Sequence, residues 1–169
     1  MSDVPAILPV LPYWLCDQCH EPIHAVGEGW VEWLVPVLEE TTPLLPPRQA
    51  QGLRLVHHLR CMYDASAEFE RGFLTQDGHL TAYLGSDGLM QWLAFLGEER
   101  FHDSSEVLEM MKRLFIPGYE VARLLMAGAM DANAVDPGAT PAYPDSAIIE
   151  LVLQWGSETG RLPWDAPEA

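Results

Sequence analysis

The stretch Trp14-Leu15-Cys16-Asp17-Gln18-Cys19-His20, together with Val56-His57-His58-Leu59-Arg60-Cys61, decides how the first third of this chain folds. The first is a C-x-x-C knuckle, the second an H-x-x-C, and between them they use every cysteine of the chain. Zinc takes thiolate and imidazole ligands at tetrahedral corners, and three cysteines with one histidine is one of its structural sets. Two residues between ligands let a tight turn aim both side chains at one ion, and a second pair closes the tetrahedron. The spacing therefore predicts one structural zinc held by Cys16, Cys19, Cys61 and a histidine of the His57-His58 pair. His58 is the preferred fourth ligand, because its spacing to Cys61 mirrors the knuckle. His57, four residues from Cys61, suits the first turn of a helix, and His20 and His24 are further substitutes. A closed set leaves no position for a substrate water, so such a site contributes folding energy rather than chemistry. The competing reading is a set of buried thiols and satisfied histidines, since free cysteine is often buried.

Outward from these pairs, Gly29-Trp30-Val31-Glu32-Trp33-Leu34-Val35 is aromatic and branched, with Glu32 at the alternation of a half-buried strand. Leu53-Arg54-Leu55-Val56-His57 predicts a second strand, and the loop Glu39 to Pro47 is punctuated by prolines that continue neither. Asp64 to Arg71 predicts a short helix. Phe73-Leu74-Thr75 and Leu80 to Leu84 flank Gln76-Asp77-Gly78-His79, the pattern of a hairpin turning at Asp-Gly.

The rest predicts helices. Ser86-Asp87 caps one with Leu89, Trp92, Leu93 and Leu96 on its inner face, ending near Gly97. Ser104 or Ser105 caps the next, with Val107, Leu108, Met111, Leu114 and Phe115 inward and Glu109 placed to pair with Arg113. Pro117-Gly118 interrupts it. Tyr119 to Met130 is apolar on nearly every side, the pattern of a helix in the middle of a bundle. A loop from Asp131 to Pro144 leads to a last helix capped by Asp145 or Ser146 and carrying Ile148, Ile149, Leu151, Val152 and Trp155. The methionines at 110, 111, 126 and 130 read as core fillers.

With knuckle, strand, and a second ligand pair leading into a helix, residues 13 to 70 resemble a treble-clef or related zinc-knuckle domain. The resemblance is to an architecture and implies a structural metal. The expected fold class is α+β, with a zinc-bound β-hairpin unit over residues 1–64 and a mostly helical domain over residues 65–169. Other readings compete for the same residues. Leu15 to His24 also resembles the closing segment of HNH endonucleases and Val56-His57-His58 their opening one, which would imply a metal-dependent nuclease using one of that histidine pair. The chain order is reversed relative to that family. Cys16-Asp17-Gln18-Cys19-His20 is literally C-x-x-C-H, the haem attachment pattern, but it comes with no export signal and leaves Cys61 unexplained. A redox C-x-x-C is opposed by Asp17 and Glu21, which disfavour the thiolate. The element order of zinc deaminases, a phosphate loop and G-x-S-x-G are absent from the sequence. His79 and His102, though near acids, read as exposed turn histidines.

Composition bounds the function. The chain holds 25 Asp and Glu against 9 Lys and Arg, a formal net charge of −16, and its one lysine is Lys112. Such a field repels nucleic-acid phosphates and anionic lipid and attracts basic protein surfaces. Surplus carboxylates also simply keep a protein soluble. Met1 to Leu15 has no Lys or Arg and is broken by prolines, unlike a secretory signal, and no apolar run approaches the roughly 18–20 residues of a membrane helix. Three cysteines favour a reducing compartment, so the expected location is cytoplasmic. The expectation is a non-enzymatic, zinc-stabilised interaction or regulatory protein with a basic protein partner, its acids imitating a phosphate array in the sharper form.

Overall fold

A computed structural model describes residues 14–37, 49–136, 138 and 143–162. The described residues form an α+β fold with five helices and two small antiparallel sheets. Strands β1 (Trp14–Leu15) and β2 (Pro22–Ile23) form a short ribbon. Strands β3 (Gly29–Pro36), β4 (Gln51–His57) and β5 (Phe73–His79) form a sheet in the order β4-β3-β5. Helix α1 (Ala65–Glu70) lies between β4 and β5, and α2 (Gly85–Gly97), α3 (Ser104–Phe115), α4 (Tyr119–Asp131) and α5 (Ser146–Glu158) follow. The proline-rich loop from Glu39 to Pro47 lies outside the described residues. No helix among those described is long and apolar enough to cross a membrane.

Two compact units emerge. Pro12–Phe115 forms one, containing both sheets and α1 to α3, and the described residues from Ile116 onward form the other. Residue 64, read from the sequence as a boundary, falls inside the first. Its core is built on the central strand. Val31 and Trp33 are buried, and Trp33 meets Tyr83, Phe95 and Phe101 edge-on at centroid distances of 5.6–6.3 Å. Trp92 completes this aromatic cluster, with its Nε1 donating to the Tyr83 carbonyl at 3.1 Å. Such tilted and edge-on contacts are the arrangements that ring quadrupoles favour.

In the second unit, α4 and α5 pack through Val121, Ala122, Met126 and Ala129 on one side and Ile149, Val152 and Leu153 on the other. Leu124 is 45% exposed, so α4 is not enclosed all round. Asp145 caps α5, accepting from the Ile148 amide at 2.9 Å.

Two local expectations are overturned. Asp77-Gly78 is not a hairpin turn: it continues β5, paired with Val31 and Glu32, and residues 80–83 form a 3-10 turn instead. The reasons are specific. Asp77 accepts a hydrogen bond from Trp30 Nε1 at 2.8 Å, and a Cβ on Gly78 would stand 2.7 Å from the Tyr83 hydroxyl. Glycine here serves close approach rather than a turn. Helix α2 buries Gly88, Trp92 and Phe95, while Leu89 and Leu93 face outward, because the aromatic cluster rather than the leucines sets its rotation. Glu109 pairs with Lys112 at 2.6 Å, and Arg113 reaches inward to Asp17 at 2.8 Å.

Gly88 marks the tightest seam, where an added Cβ would fall 2.1 Å from the Tyr83 carbonyl carbon. Backbone cannot yield there as a flexible side chain could. Gly88→Ala is expected to lower the unfolding free energy by about 1–3 kcal/mol despite the better helix propensity of alanine, and denaturant titration measures it.

Candidate metal centre

Pairing of Trp14 with Ile23 and Leu15 with Pro22 folds residues 16–21 into a tight turn. Within it the Cys16 amide donates to the Glu21 carbonyl at 3.0 Å and the His20 amide to the Cys16 carbonyl at 2.8 Å. His20 takes a left-handed conformation, φ 61°, to close the loop. Asp17, between the two cysteines, ties the turn down. Its amide donates to the Leu55 carbonyl at 2.8 Å, and its carboxylate accepts from the Leu55 amide at 2.7 Å and from Arg113 Nη1 at 2.8 Å. Arg113 also donates to the Leu15 carbonyl, and Trp14 Nε1 donates to the Arg113 carbonyl at 3.3 Å.

The second ligand pair sits where β4 ends. His57 is its last residue, paired with Gly29, and the next residues turn tightly through Leu59 at φ 65° so that the Cys61 amide points at the His57 carbonyl. Beneath this turn Glu32 is fully buried and receives Arg54 Nε at 2.7 Å and the Tyr63 amide at 3.0 Å. Burial pushes its carboxyl above the usual range, against the pull of the Tyr63 amide and Arg54. The same guanidinium donates to the Cys61 carbonyl and to Gln18 on the first turn, and lies 3.4 Å over the Tyr63 ring. Two partly or wholly buried ion pairs thus hold the two ligand turns, one on each side.

What these turns bring together is Cys16, Cys19, His57 and Cys61, whose ligand atoms lie within 4.8 Å of one another. The fourth member is His57, not His58. In an extended strand successive side chains leave opposite faces, so the two neighbours cannot both reach the cysteines. His57 Nδ1 lies 3.5 Å from Cys19 Sγ, whereas His58 stacks on Trp30 at 4.0 Å and 14°. A signal for this lay in the sequence: Trp30 on the facing strand offers a ring for the exposed histidine to cover. His20 and His24 are exposed and outside the cluster.

Donor chemistry and spacing fit zinc. With Zn–S near ~2.3 Å and Zn–N near ~2.0–2.1 Å, tetrahedral edges fall at ~3.5–3.8 Å, the lower figure matching the Cys19–His57 separation. Binding through Nδ1 leaves Nε2 to carry the proton, and the Pro22 carbonyl stands 3.1 Å away to accept it. Arg60 also approaches Nε2 but has its own partner, Glu21, at 2.9 Å. Cys16, Cys61 and His57 are buried, and Cys19 forms the partly exposed corner.

The thiols are unequal before a cation arrives. Burial pushes Cys16 up, but the Cys19, His57 and Gln18 amides and the His57 side chain together bring it down to about 6. Burial pushes Cys61 up to about 12, reinforced by the other two sulfurs. All three become thiolates together only when a cation offsets their repulsion. No protein-family model, curated protein or solved structure matches the chain.

His57→Ala is expected to abolish stoichiometric zinc binding and His58→Ala to leave it intact, as measured by metal content after dialysis. Uptake of zinc near neutral pH displaces the Cys61 proton, so affinity falls as pH falls; proton release in weakly buffered titration checks the sign. Asp17→Asn, which keeps the shape but weakens the tie to Arg113, is expected to reduce zinc affinity about 10–100-fold.

Proposed function

We propose that the protein is a non-enzymatic, cytoplasmic interaction or regulatory protein in which one structural zinc pins the N-terminal turn to the sheet. The observation that carries this reading is the completed Cys3His set. Four protein donors would fill the tetrahedral shell of a zinc ion, and the hydrogen bonds of Asp17, Arg113 and Arg54 hold the turns that carry them, which supports a structural rather than a catalytic site. Three free thiols suit a reducing compartment. The arrangement of a knuckle ribbon, a strand and a second ligand pair ahead of α1 supports kinship with treble-clef or zinc-knuckle architectures.

The partner class follows from charge. Arg54, Arg60, Arg71, Lys112, Arg113 and Arg123 are each engaged by a carboxylate of the chain itself. The surplus behind the net charge of −16 is therefore carried by acids such as Glu28, Glu70, Asp87 and Glu98 on the exposed surface. That surface suits a basic protein, including one that otherwise binds nucleic acid. The nuclease reading would require His58 as a free general base, and its stacking on Trp30 lends that role no support.

Zinc-loaded protein is expected to retain a basic protein at low salt and to release it as ionic strength rises or as DNA competes. Binding indifferent to salt would count against the reading. Chelation is expected to lower the melting temperature by about 10 °C or more, which in a domain of ~100 residues corresponds to about 2 kcal/mol. The rings of Trp33, Tyr83, Trp92, Phe95 and Phe101 pack on one another, so the sheet and α2 are expected to survive chelation at lower temperature.

A further inference from the structure

The two edges of the three-stranded sheet are finished differently. Along β4 the outward groups are occupied. The Leu53 amide donates to Glu106 at 2.7 Å, the Leu55 amide to Asp17 at 2.7 Å, and the Leu55 carbonyl receives the Asp17 amide. Ala50 exchanges hydrogen bonds with Arg100 and His102. Side chains and a neighbouring loop therefore close that edge without a further strand.

Along β5 the situation is opposite. Its seven residues pair with β3 from Trp30 to Pro36, and among the described residues no other strand lies beyond it. Alternate residues of such a strand turn their N–H and C=O groups away from the sheet, and among the described residues these outward groups of residues 73–79 meet no protein partner. Natural edges are usually blunted by lysine, proline or a bulge. Phe73-Leu74-Thr75-Gln76-Asp77-Gly78-His79 has neither lysine nor proline, and the sheet's register shift lies between β3 and β4 instead. The one acid, Asp77, is tied back to Trp30. Beside the strand stand Leu74, 45% exposed, and Phe69 of α1, 59% exposed.

We propose that the outer edge of β5 takes an extended segment of the protein's partner as a fourth strand, with basic side chains alternating with apolar ones. Main-chain hydrogen bonds hold the segment, as in other strand additions. Its apolar residues meet the side of Leu74, and its basic ones answer the field of a chain with net charge −16. The same field opposes pairing of two copies through this edge. The inference rests on the reading of the protein as an acidic interaction protein and names how the partner is held.

The test uses zinc-loaded full-length protein and a fluorescent peptide of about nine alternating Lys and Val residues, long enough to span the strand. Two further versions carry N-methyl groups on one or the other alternate set of backbone amides. At low salt the parent is expected to bind, one methylated version to match it, and the other to weaken about tenfold or more because several main-chain hydrogen bonds vanish together. Gln76→Lys, at an exposed edge position, is expected to weaken the parent similarly without changing the melting temperature, and hydrogen exchange at residues 73–79 to slow on binding. Equal binding of all three peptides would overturn the edge and leave only charge attraction, with the reading of an acidic protein that binds a basic partner intact. No binding by any of them would overturn both. Dimers abolished by Gln76→Lys in sedimentation would assign the edge to a second copy and overturn the proposal.

Discussion

Three thiols and an imidazole crowded into one spot cannot all assume their metal-binding form unless a cation lies between them. Everything around this protein's Cys3His cluster is arranged to enforce that crowding. Asp17 and Arg113 fasten the first ligand turn to β4 and to α3, while Glu32 and Arg54 support the second from beneath. Neither ion pair is a surface ornament. Arg113 is only 5% exposed at its side chain and Glu32 is not exposed at all. Removing one partner of a pair so enclosed leaves a charge in poor surroundings, a loss commonly of about 3–5 kcal/mol. Helix α3 and the sheet are thus coupled to the candidate metal site through charges rather than through apolar packing alone.

Much of this was legible in the amino-acid order. The strands β3 and β4 announce themselves by aromatic and branched residues, α1 by the Asp64 cap, and the break at Pro117-Gly118 by its dipeptide. Local chemistry decides such features, and local chemistry is what a sequence displays. The failures share a different cause. Which histidine joined the cysteines depended on which face of β4 looked toward the knuckle, and that is set by register against Gly29. Asp77-Gly78 read as a turn because its real role, room for the Tyr83 ring, is invisible until Tyr83 is placed. The rotation of α2 followed Trp92 and Phe95 because three other rings, Trp33, Tyr83 and Phe101, were waiting for them. In each case a distant partner outweighed a local preference.

The charge distribution repeats the theme of scarce cations placed with care. Arginine outnumbers lysine heavily, and arginine's planar fork makes several hydrogen bonds at once. Arg54 alone reaches a carboxylate, an amide side chain, a backbone carbonyl and an aromatic face. A lysine at that position would serve one of them. With so few positive groups available, multidentate ones hold the interior together and leave the acids to the surface.

The order in which the ligands occur along the chain also governs how the protein comes into being. During synthesis the first turn emerges with two thiols, and two thiols alone make a weak, open site that a competing chelator can strip. Closure waits until Cys61 has left the ribosome, and the central strand β3, made early, remains without its second neighbour until His79 follows. A newborn chain therefore spends the interval with Trp30, Val31 and Trp33 uncovered, and the metal arrives as a late clasp rather than as a seed.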